Sequence, residues 1–128
     1  MGDEAGLRSR ISGLPMEAQE AVVALLRDLR ASLAPEAILE LEAATIARAG
    51  ELLDVVDPID IAQPLVDDVQ QQVHDEFIDV TWPRCPRHPN HPLWLVGGQW
   101  QCTRGKVAVS ALGKLSTPPG TSGDGSRL

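Results

Sequence analysis

Prolines at 83, 86, 89 and 92 divide this 128-residue chain more sharply than any other feature. Each ring fixes φ near about −65°, removes a backbone donor and biases the residue before it toward extended backbone. The stretch from Thr81 to Pro92 therefore cannot be helix, and helices on its N-terminal side must end before it. Composition changes at the same place. Residues 1–76 contain no aromatic side chain, and Phe77 and all three tryptophans follow them. Residues 1–80 carry 17 acids against 5 bases, a net −12, whereas residues 81–128 carry 6 bases and one acid, Asp124, a net +5. A basic segment of this kind faces a polyanion, or docks on an acidic surface of its own chain or of a second copy. In a chain of overall charge −7 the second reading is favoured.

Before the boundary, Ala, Leu, Val, Glu and Asp dominate, a helix-forming composition. Residues 1–13 read as a flexible N-terminus, and 14–80 as an acidic helical region. Pro15 suits a first helical turn. Val22, Leu25, Leu26, Leu29 and Leu33 then recur at helical spacing, with Glu17, Glu20, Arg27, Asp28 and Arg30 on the remaining faces. Ala34-Pro35 ends that helix and starts another, whose stripe is Ile38, Leu41, Ile46, Ala49, Leu52, Leu53 and Val56. After Asp57-Pro58 a third run begins at about Pro64. Leu65, Val66, Val69, Val73, Phe77 and Val80 form its apolar face, while Asp67, Asp68, Gln70, Gln71, Asp75 and Glu76 face water. His74 belongs to the same wet side. Short connections make antiparallel neighbours the natural arrangement.

Residues 81–115 read as a basic, zinc-ribbon-like β-module. Gly97-Gly98 separates Leu93–Val96 from Gln99–Thr103, and a two-residue Gly-Gly turn between such runs predicts a hairpin. Its register pairs Val96 with Gln99, Leu95 with Trp100, Trp94 with Gln101 and Leu93 with Cys102. A second turn at Arg104-Gly105 leads into Lys106–Ala111, giving a three-stranded meander. Strand alternation places Leu93, Leu95, Trp100, Val107 and Val109 on one face and turns Trp94 away from Trp100. Residues 116–128 have the composition of a disordered tail. The expected fold class is α+β, with about three antiparallel helices followed by a small β-hairpin or meander.

Both cysteines and two of the three histidines fall within Cys85-x2-His88-x2-His91-x10-Cys102. Two thiolates and two imidazoles are a standard tetrahedral set for structural zinc. In the expected register, an extended His91 lies diagonally across from Cys102, and the prolines stiffen the loop that carries the other ligands. Cys102 is followed by Thr-Arg-Gly-Lys, so the pattern lacks the second close ligand pair of a double-knuckle ribbon. A catalytic zinc keeps an open coordination position beside an acid or base. Four protein ligands, and no acid from Thr81 to Gly123, argue against a metal-dependent hydrolase and for one structural Zn2+. Asp67-Asp68 and Asp75-Glu76 read as charge on a wet helix face.

The string Cys-Pro-Arg-His-Pro-Asn-His-Pro-Leu-Trp, followed by Trp-Gln-Cys, resembles a module in small uncharacterised actinobacterial and actinophage proteins. These share a Cys-Pro-x-His-Pro-x-His-Pro segment, then Trp-x-Cys and a basic or polar turn. The resemblance spans roughly residues 82–115. It implies a bacterial, mobile-element or cluster-encoded origin and treats Cys85, His88, His91 and Cys102 as a unit; it implies no activity.

The resulting expectation is a non-enzymatic interaction or assembly protein, with a protein partner or homo-oligomer. The alternative is a nucleic-acid-associated accessory or regulatory factor. Arg84, Arg87, Trp94, Arg104 and Lys106 are its candidate contacts, since aromatic rings stack on bases beside cationic side chains. No apolar run approaches a membrane span, and the acidic start lacks the marks of a secretory signal, so a cytoplasmic location without membrane association is expected. No motif points to a small-molecule substrate.

Overall fold

A computed structural model describes residues 2–76, 82, 83, 85, 92–102 and 107–115, apart from the side chains of 2–4, 32 and 107. Four α-helices are followed by a three-stranded antiparallel sheet, an α+β arrangement. The helices are α1 (Gly2–Arg10), α2 (Met16–Ser32), α3 (Pro35–Leu52) and α4 (Ala62–Glu76), with a 3-10 turn at Pro58–Asp60. The strands are β1 (Trp94–Val96), β2 (Gln99–Cys102) and β3 (Val107–Ala111), in sheet order β1-β2-β3. Among the described residues no helix is long and apolar enough to cross a membrane. The expectations for Phe77, Val80 and the 116–128 tail lie outside the described residues.

Proline marks the break between α2 and α3 as expected, whereas α3 ends at Leu52, ahead of the expected stop at Asp57-Pro58, and α4 starts at Ala62, ahead of Pro64. Pro35 opens α3 at its first helical position, and Leu33 and Ala34 before it are extended, with ψ of 155° and 150°. Pro15 sits one residue ahead of α2 as its N-cap. α2 packs against α3 and α4, and α3 packs against α4. The stripes meet in a core containing Val22, Leu25, Leu26, Leu29, Leu41, Leu65, Val66 and Val73.

The N-terminus differs from the expected loose start. Gly2–Arg10 is helical because Leu7 and Ile11, one turn apart, are both buried against α2. Burial of two large aliphatic side chains outweighs the poor propensity of Gly2 and Gly6. Gln19 closes the corner by donating to the carbonyls of Leu14, at 2.8 Å, and Ser12, at 3.4 Å.

The sheet follows the expected register: Trp94 pairs with Gln101, Leu95 with Trp100 and Val96 with Gln99. Gly97 and Gly98 turn at φ +58° and +82°, the left-handed values that the two-residue turn requires. β3 pairs with β2 through an irregularity between Trp100 and Gln101, so Ser110 lies opposite Trp100 while Ala108 lies opposite Gln101. That bulge adds Val109 to β3 as an extra residue, which leaves it half-buried at the rim of the apolar face. Leu93, Leu95, Trp100 and Cys102 are buried with Trp82 and Cys85 in the same continuous core as the helices. The packed interior thus crosses the change in composition near residue 80.

Candidate metal centre

Cys85 and Cys102 are buried, at 1% and 3% exposure. Cys102 ends β2 on the face of Trp100, and Cys85 follows Trp82 by three residues. The rings of Trp82 and Trp100 meet edge to face with centroids 5.4 Å apart. The Leu93 amide donates to the Pro83 carbonyl at 2.7 Å, closing the base of the segment that carries His88 and His91. The limb bearing Cys85 is therefore held against the hairpin bearing Cys102. His88 and His91 lie outside the described residues, as do Arg84, Arg87, Arg104 and Lys106. Trp94 projects from the opposite face of β1 and is 40% exposed, its ring nearly perpendicular to that of His74 with centroids 6.2 Å apart.

Polar side chains expected to face water seat this sheet on the helices. Asp28 of α2 is fully buried. One carboxylate oxygen accepts from Trp100 Nε1 and from the Gly113 amide, both at 2.7 Å; the other accepts from the Leu115 amide at 2.9 Å. Burial pushes its pKa above the usual carboxylate value, against the opposing pull of those hydrogen bonds and of Arg27. Gly113 itself lies at φ +91°, where an added Cβ would come within 3.0 Å of Ala24 Cβ on α2. Backbone from the end of the sheet and helix surface touch here without an intervening side chain.

Gln70 of α4 is likewise buried, contrary to the expected wet face. Its amide donates to the carbonyls of Leu93, at 2.7 Å, and Trp82, at 3.2 Å. Gln63, two turns earlier, donates to the Leu95 carbonyl at 2.7 Å. Leu93 and Leu95 belong to the outer edge of β1, so two glutamines of one helix satisfy carbonyls that would otherwise offer an open strand edge. His74 is half-buried rather than solvated, with Nε2 at 3.0 Å from the Trp82 carbonyl.

These assignments leave a spacing signal that stripe counting passes over. Asp28 falls three residues after Leu25 and Gln70 four after Val66, both on the apolar side of their helices. A polar residue at a stripe position marks a buried hydrogen-bonding partner when another element covers it. Asp28 also brings to the module the carboxylate that residues 81–123 lack. Its two oxygens are committed to three N–H donors, which suits anchoring and not proton transfer. Among the described residues no three His, Cys, Asp or Glu side chains cluster as a metal site. The candidate set thus rests on two buried thiols here and two imidazoles in the adjoining segment, a donor chemistry that fits zinc. No family model, curated protein or solved structure matches this chain.

Proposed function

We propose that this chain is a non-enzymatic interaction or assembly protein whose C-terminal module is clasped by one structural zinc ion. Cys85, His88, His91 and Cys102 would hold the ion, which supplies a cross-link between the proline-rich limb and the hairpin. The observation that carries this reading is the burial of both cysteines in the core that also holds the Trp82–Trp100 contact, where the two limbs already meet. The hairpin has only one buried face, and a cross-link is the usual supplement for so small a unit. Native mass spectrometry of purified protein should find one zinc per chain, and Cys102→Ser should shed it and loosen the module. A folded, metal-free wild-type chain in that spectrum would sink the zinc clasp, and the same spectrum reads the oligomeric state.

Exposure of Trp94 on the outer sheet face favours a second reading, in which this surface meets nucleic acid and Arg84, Arg87, Arg104 and Lys106 would supply the cationic contacts. Binding to DNA or RNA that weakens steeply with salt, and is lost on reversing those four charges, would select it. A concentration-dependent oligomer indifferent to the same reversals selects the assembly reading.

A further inference from the structure

Between α1, the end of α2 and the start of α3 lies a groove of about 620 Å³, within the range of small-molecule sites. It is remote in the chain from the cysteine-bearing module. Leu7, Leu33, Ile38 and Leu39 line it, and at one side Arg10 and Arg30 converge on a single carboxylate, Glu42. Arg30 Nη2 lies 3.2 Å from Glu42 Oε1, and Arg10 hydrogen-bonds the other oxygen. Glu42 is only 13% exposed, so two guanidinium groups share one largely buried acid. The charged residues lining the groove are thus two guanidinium groups and one carboxylate, a net +1 within a region whose net charge is −12. Leu39 stands 75% exposed in the lining, an apolar side chain without cover.

We propose that this groove binds a small carboxylic acid with an unbranched apolar tail, a medium-chain fatty acid. Charge complementarity selects the head group. A second carboxylate completes the pairing of two guanidinium groups, whose planar donor forks match carboxylate oxygens. The apolar lining selects the tail, because covering Leu39, Leu33 and Ile38 removes hydrocarbon surface from water. A peptide or protein would need a larger surface than this short groove presents.

Isothermal titration of the full chain with decanoate, below its micelle concentration, tests the assignment. Saturable binding at one per chain is expected, with decanol and decyltrimethylammonium at least tenfold weaker. Leu39→Glu places a carboxylate in the lining at an exposed position that folding does not need, and should weaken decanoate at least tenfold. Arg30→Gln should do the same while Arg10 keeps its bond to Glu42. The proposal is overturned if wild-type protein shows no saturable binding. It fails equally if decanol matches decanoate, or if folded Leu39→Glu binds decanoate as wild type does.

Discussion

The helical body and the C-terminal sheet hold together by different means. In the helices, aliphatic side chains from α1 to α4 meet one another at regular spacing, and most polar groups point to solvent. The sheet has one apolar face of its own, built on Leu93, Leu95 and Trp100; it packs on α4 through β1 and meets α2 at Asp28 and Ala24. Its seat on those helices is polar: Asp28 takes three donors from one end, and Gln63 and Gln70 take the edge of β1. A unit with little core of its own gains orientation from directional bonds, which hydrophobic contact alone does not supply.

Asp28→Ala should break this contrast most severely. It strands an indole N–H and two amides in a buried place, at roughly 1–3 kcal/mol for each unsatisfied donor before relaxation. A loss of about 4 kcal/mol in urea unfolding followed by tryptophan fluorescence is expected. A loss below 1 kcal/mol would mean that water reaches the seat and that the seat is not the buried anchor described.

Next in size is Gly113→Ala, which meets both a positive φ and Ala24 Cβ at 3.0 Å. About 2 kcal/mol is expected, because strain and overlap act together. Gln70→Ala should cost slightly less, roughly 1–2 kcal/mol, and should expose the Leu93 amide and its neighbours to faster hydrogen exchange. Unchanged exchange in β1 would show that the edge is covered by something other than glutamine.

A smaller effect should appear as pH dependence. The Asp28 carboxyl is raised in the folded chain above its ordinary 3.8, so the native state holds the proton over a window starting near that value. Within the window the folded form binds more protons than the unfolded one, and the Asp28 contribution to stability falls as pH rises. Above the folded pKa it is flat. Subtracting the urea-stability profile of Asp28→Asn from that of wild type should leave this downward slope; an upward one would reverse the assignment. At the bottom of the scale, Arg48→Ala on the helical surface removes exposed contacts to Asp68 and Glu51 and should leave unfolding unchanged within error.

Periodicity made α2, α3 and α4 legible because each needs a stripe of aliphatic residues, and Gly97-Gly98 made the hairpin register legible because the turn demands two left-handed residues. The candidate ligand set rests on the sequence, where both cysteines and two of three histidines stand within eighteen residues; of the four, the structure describes Cys85 and Cys102, both buried. α1 is not legible from periodicity because, among the described residues, only Leu7 and Ile11 carry its buried side. Asp28, Gln70 and His74 are missed because polarity is a residue property whereas burial is a relation between elements.

The sequence by itself determined where helices stop, how the hairpin pairs and which side chains offer metal-ligating chemistry, since proline, glycine and spacing act over a few residues. Only the tertiary structure decided that the sheet covers α2 and α4. There a carboxylate at position 28 and the amide N–H groups of glutamines 63 and 70 become anchors, their partners lying 12 to 87 residues away along the chain.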